Sequence, residues 1–143
     1  MTRSKLVLPQ AFSFVTKIPV RITDLNYGGH VGNDNILSII HEARVQFLRS
    51  KSYSEMNIEG ISLIMHDVVI EFKNELFYGD EIKAFVTAAE PSKIGFDIYY
   101  KFEKEKDGAQ VQVVFARTGM VCYDYNKNKI ASLPAVAKEK LMQ

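Results

Sequence analysis

Four polar residues, Asp24, Asn26, His30 and Asn33, fall within ten consecutive positions of this chain. The segment that carries them, Asp24-Leu25-Asn26-Tyr27-Gly28-Gly29-His30-Val31-Gly32-Asn33-Asp34, is dense in glycine and asparagine. An imidazole can carry a proton near neutral pH, a carboxylate can act as base or nucleophile, and glycines let backbone approach a ligand closely. If a helix begins where the segment ends, its unpaired amides can stabilise a developing negative charge. Acyl transfer needs that combination: a base or nucleophile, a proton carrier and an oxyanion site. The same residues also have plain structural uses. Asp24 and Asn26 can serve a turn, Asn33 can cap a helix, and His30 can pack. Spacing alone leaves both readings open.

Periodicity predicts the elements that must position this loop. Phe12 to Thr23 alternates through Phe12, Phe14, Ile18, Val20 and Ile22 and reads as a strand, with Pro19 placing it at an edge or bulge. Asn33 and Asp34 are candidate N-caps for a helix from about Asn35 to Ser50. Ile36, Ile39, Ile40, Ala43 and Phe47 form its apolar stripe, widened by Leu37 and Leu48. Strands then follow. Ile61–Met65 and Val68–Phe72 make one extended segment with Val68, Ile70 and Phe72 on a common face, and Glu81–Ala89 continues after the Tyr78-Gly79-Asp80 turn. Ile94, Phe96, Ile98, Tyr100 and Phe102 give a period-two face, Lys106-Asp107-Gly108 signals a hairpin, and a last strand runs from Val111 to Tyr123. Pro134 starts a short, frayed C-terminal helix. This order predicts an α+β domain in which a five-stranded, largely antiparallel sheet wraps one long central helix.

Composition narrows the function classes. A chain of 143 residues that is 47% hydrophobic and 24% charged fits one domain spanning 1–143. Eighteen Lys plus Arg against 17 Asp plus Glu give a charge of +1, which offers no electrostatic reason for a nucleic-acid or membrane-surface partner. The apolar runs fall far short of the roughly 18 to 20 residues of a membrane span, and Leu6-Val7-Leu8 cannot serve as the core of an export signal. One cysteine and three histidines make a poor metal inventory. The expectation is a cytoplasmic protein with no metal and no redox cofactor.

The loop and its neighbours resemble a known family. Asp24-x-Asn26-x-x-Gly29-His30-Val31-x-Asn33, followed by a helix carrying Glu42-Ala43-Arg44, is similar to the signature of hotdog-fold acyl-CoA thioesterases of the 4-hydroxybenzoyl-CoA thioesterase type. Tyr78-Gly79-Asp80-Glu81, Ser92 to Phe96, and Val121-Cys122-Tyr123-Asp124 with Leu133-Pro134 extend the likeness over nearly the whole chain. The resemblance implies a hotdog fold and hydrolysis of an acyl-CoA or acyl-carrier-protein thioester. It also implies a homodimer or homotetramer with a shared site. Asp24, Asn26 and His30 become the catalytic set, with Asn33, Gly29 and Tyr27 at the oxyanion or substrate. Tyr27 would line an acyl pocket or shield the loop.

One departure stands out. Asn26 occupies the position where the family usually carries its catalytic Asp, and an amide is neither a general base nor a nucleophile near neutral pH. In an Asp-x-Asn arrangement Asn26 would orient water or the thioester while Asp24 or His30 handles protons. Glu42 is held in reserve, because a helix carboxylate from a partner subunit supplies the base in some relatives. His41 reads as a flank residue, His66 as a partner of Asp67, and Cys122 as a packed side chain. A non-catalytic thioester-binding protein is the alternative that Asn26 keeps open. A hotdog hydratase fits less well, because its Asp and His are spaced differently.

Overall fold

The computed structural model describes residues 5–143. Strand β1 (Phe14–Pro19) leads through a single 3-10 turn (Ile22–Asp24) and the Gly-rich loop into helix α1 (Asn33–Ser50). Strands β2 (Ser62–Phe72), β3 (Glu81–Ala89), β4 (Gly95–Lys106) and β5 (Ala109–Asp124) follow, then β6 (Lys129–Ile130) and α2 (Ala135–Leu141). The sheet runs β1-β3-β4-β5-β2, every pairing is antiparallel, and β6 adds to the end of β5. This is the α+β hotdog arrangement with six strands instead of five. Two residues carry no readable alternation, so β6 is defined by its pairing with Tyr123 and Asp124 alone.

Helix α1 lies on the inner face because its stripe is apolar at the helical period. Ile36, Ile39, Ile40, Ala43, Phe47 and Leu48 are buried against Ile82, Ala84 and Val86 of β3 and Phe96, Ile98, Tyr100 and Phe102 of β4. Each of the large side chains among these contributes about 1.5–3 kcal/mol on burial. Leu37 is 37% exposed and does not widen the stripe. Arg44 falls on the buried side and is satisfied there: Nε donates to Glu55 at 3.0 Å and Nη1 to the Tyr100 hydroxyl at 3.3 Å.

Several boundaries differ from the periodic reading, each for a local reason. β1 stops at Pro19, the last residue in register with β3, and the next N–H, that of Val20, donates to the Asp80 carbonyl at 2.9 Å. Helix α1 starts at Asn33, and neither Asn33 nor Asp34 caps it: Gly32 is the N-cap, and its carbonyl accepts Asn35 and Ile36 N–H at 3.0 and 3.2 Å. In β2 a bulge between Met65 and Asp67 leaves His66 without a register partner. Ile70 packs on the core as expected, while Phe72 is 48% exposed at the strand end. α2 is docked instead of frayed, with Ala137 and Leu141 fully buried.

The opposite face of the sheet is covered from within the chain. Leu6 N–H donates to Glu71 on β2 at 2.8 Å, and Phe12 packs on Phe85 of β3 with ring centroids 6.1 Å apart. The Lys101 ammonium lies over both rings, and Ser13 and Thr87 hydroxyls meet at 3.2 Å. Residues 5–13 thus run across the outer face before turning into β1.

Candidate functional site

The Gly-rich loop is a small closed hairpin. Leu25 and Val31 bridge across it, Asn26 N–H donates to the His30 carbonyl at 2.8 Å, and Gly29 N–H donates to the Asn26 carbonyl at 3.1 Å. Gly29 has φ +81°, which a side chain would resist. Asn26 Oδ1 accepts the Gly28 N–H at 2.8 Å, an Asx turn. A second set of bonds stitches the loop to the segment before β3: Val31 N–H donates to the Leu76 carbonyl at 2.9 Å, and His30 bridges Phe77.

His30 and Asn33 open on one cavity of about 250 Å³, lined also by Val31, Ile36, Phe72 and Leu76. His30 Nδ1 lies 3.2 Å from the Val31 carbonyl. A carbonyl only accepts, so Nδ1 is the donor in this contact, and in the neutral ring Nε2 then carries the lone pair. A Cβ on Gly28 would stand 3.2 Å from Asn26 Oδ1 and 3.5 Å from His30 Nε2, so the amide and the imidazole flank one small space beside this glycine. At the helix start the Asn33 and Asp34 N–H groups find no acceptor among the described residues, as expected for the first turn.

Asp24 and Glu42 gather elsewhere. Both line a groove of about 290 Å³ on the outward side of α1, with Ile18, Arg21, Ser38 and His41 among its walls. Asp24 is 3% exposed, and its carboxylate accepts Arg21 N–H at 2.8 Å, Nε at 3.4 Å and Nη2 at 3.1 Å. The carboxylate in turn holds the Arg21 guanidinium above its ordinary pKa. Opposite charges three residues apart are the sequence signal for this pair. Glu42 accepts the Gln46 amide at 2.7 Å. His41 Nε2 stands 3.1 Å from the same Glu55 oxygen that Arg44 binds. The loop residues therefore divide: His30 and Asn33 stand at one cavity, with Asn26 beside His30 at Gly28, and Asp24 and Glu42 stand at another.

The remaining candidates are soon placed. Tyr27 is fully exposed. His66 lies 3.7 Å from Asp67, whose stronger partner is Arg117 at 3.0 Å; that guanidinium pulls the Asp67 carboxyl below its usual range. Cys122 is buried, and burial pushes its thiol up to about 11, so it is no nucleophile at neutral pH. No described helix is long and apolar enough to cross a membrane.

Comparison with known proteins bears on the family and the fold. The family described as the thioesterase-like superfamily matches residues 20–141. A curated protein of Aquifex aeolicus named "Putative esterase" is 28% identical over 130 residues, covering 90% of this chain and 97% of its own. The crystal structure of a 1,4-dihydroxy-2-naphthoyl-CoA thioesterase from Synechocystis superposes with a TM-score of 0.78 at 24% identity, over 90% of this chain and 94% of that one. A thioesterase-superfamily structure from Jannaschia sp. CCS1 gives a TM-score of 0.80 at 16% identity, over 93% and 83% of the two chains. At these identities the two structures speak for the fold.

Proposed function

Because this chain belongs to the thioesterase-like superfamily, we propose that it hydrolyses an acyl thioester of coenzyme A or of an acyl-carrier protein, with His30 as proton carrier. One observation carries the assignment: with Nδ1 donating to the Val31 carbonyl, the neutral ring presents Nε2 as its acceptor, next to the space beside Asn26. In the proposed step His30 Nε2 takes a proton from water as the water oxygen attacks the thioester carbonyl carbon. The oxyanion is held by the N–H groups of Asn33 and Asp34. Collapse breaks the carbon–sulfur bond, and the imidazolium returns the proton to the leaving thiolate, giving acid and thiol. Asn26, through its Nδ2, orients the water or the thioester. Asp24, bound three times by Arg21, stabilises the entry to the loop as a fixed anion. Gly29, at φ +81°, gives the loop its turn.

The likeness to the 4-hydroxybenzoyl-CoA type supports an aromatic or fatty acyl group. β2 leaves one edge of the sheet unpaired over Ser62–Phe72, Phe72 is exposed at the cavity, and Tyr27 is exposed on the loop. Both features support a homodimer or homotetramer that completes the site, in which Tyr27 would meet the acyl chain and the partner's helix could present its own Glu42. A strictly monomeric mass in light scattering at micromolar concentration would remove the shared site.

The test is thiol release from a panel of acyl-CoAs, read with a thiol-reactive dye. Wild type should turn over at least one, and His30→Ala should lower that rate about a hundredfold or more with an unchanged melting temperature. Asn26 and the committed Asp24 carboxylate also support a second reading, a non-catalytic thioester-binding protein. Acyl-CoA binding without thiol release in wild type would select it.

A further inference from the structure

The inner face of β4 is apolar at every second residue from Phe96 to Phe102, and the next position in phase is Lys104. Its side chain is 8% exposed. An ammonium there needs partners. Nζ donates to the Glu75 carbonyl at 2.7 Å and to Asp80 Oδ2 at 3.0 Å, and lies 5.0 Å from the Phe77 ring centroid. One charge therefore ties both ends of the segment from Glu75 to Asp80. The same Asp80 Oδ2 accepts Phe77 N–H at 2.8 Å, and Asp80 N–H donates to the Phe77 carbonyl at 3.0 Å, closing a turn on Gly79 at φ +92°.

What this clamp holds is the backbone beside the candidate site. Within the tied segment the Leu76 carbonyl accepts Val31 N–H at 2.9 Å, and Phe77 bridges His30. At its end the Asp80 carbonyl accepts Val20 N–H at 2.9 Å, one residue ahead of the Arg21–Asp24 pair. We propose that Lys104, acting through Asp80, is a positioning residue that sets the backbone of His30; the functional half of this rests on His30 being the proton carrier. Lys104 binds the turn and not the imidazole, so its effect travels through the Leu76–Val31 and Phe77–His30 pairings.

Two variants and two readouts test it. Lys104→Met keeps the apolar stem and removes the charge; Asp80→Asn keeps an acceptor for Phe77 N–H and weakens the ion pair. Each should speed amide hydrogen exchange at Val31 at least tenfold while Thr118, in β5, keeps its wild-type rate. Each should lower kcat about tenfold with KM within twofold, and the double variant should lose no more than Lys104→Met alone. Unchanged exchange at Val31 overturns the proposal. So does equal acceleration at Val31 and Thr118, which is general destabilisation, and so does faster Val31 exchange with full turnover. If Lys104→Met fails to fold, Asp80→Asn carries the same test. If wild type releases no thiol from any substrate, the hydrolase reading fails by itself, and exchange at Val31 still decides whether the clamp sets this backbone.

Discussion

Arg44 reaches from α1 to Tyr100 on β4, guanidinium Nη1 to hydroxyl at 3.3 Å, with both side chains buried. The hydroxyl also meets Thr118 Oγ1 at 2.7 Å, so one oxygen joins the helix to two strands. Tyr100→Phe keeps the ring and deletes that oxygen. Arg44 loses an acceptor and the buried Thr118 hydroxyl loses its partner, at a cost of about 1–3 kcal/mol. Urea unfolding should give that loss with an unchanged m-value; a loss below about 0.5 kcal/mol would mean the network is slack.

Asp97 on β4 carries a pH dependence. Burial first, and then the hydrogen-bonded Glu90, hold its carboxyl up at about 6 despite Arg117 at 3.5 Å. Unfolded, it titrates near the ordinary value of about 3.9. The native state thus binds the extra proton, and this group's contribution is full below about pH 4 and lost as pH rises through 6. Glu90 has the opposite sign, because hydrogen bonds from Asp97 and Tyr99 hold it below its ordinary value. Asp97→Asn mimics the protonated acid and should be more stable than wild type at pH 8, by about 1–3 kcal/mol. A variant that melts below wild type at pH 8 would contradict this.

Two glycines in the sheet predict unequal responses. A Cβ on Gly95 would overlap the Met120 carbonyl oxygen of the neighbouring strand, whereas one on Gly119 would overlap the end of the Asp67 side chain. Backbone cannot step aside without breaking the β4–β5 ladder, but an exposed carboxylate can turn away. Gly95→Ala should cost about 3 kcal/mol or more and Gly119→Ala about 1 kcal/mol or less. Thermal melts of the pair would show the order, and equal losses would refute the distinction.

Asn26→Asp retains an oxygen for Gly28 N–H, so the hairpin should survive. The new charge sits beside the space that His30 Nε2 faces. If Asn26 orients water or the thioester as an amide, turnover should fall by about 10²-fold, since a negative charge opposes the oxyanion. A kcat/KM at or above wild type would instead assign this position the role of base.

The helix and the strands were legible because burial imposes a period, as Ile36 to Phe47 and Phe96 to Phe102 illustrate. Local bonds that compete with the period were not. Phe12 continues the alternation of β1 on paper, yet it leaves the inner face for Phe85, and nothing in its type announces that. In sequence the loop reads as one constellation because its polar residues are close together. A 3-10 turn before it and a hairpin within it aim Asp24 and His30 at different cavities, and turn handedness is not encoded in spacing. Lys104 did carry a signal: a charge in phase with a core face demands a partner.

The strap formed by residues 5–13 changes what the outer face can do. Stacking two of these sheets back to back would first require lifting Leu6 from Glu71 and Phe12 from Phe85. A second sheet approaching that face would meet residues 5–13 first, although Val15 and Val69 beside them stay 49% and 40% exposed. In the homodimer or homotetramer proposed above, the unpaired flank of β2 is then a sheet surface still open to a second copy.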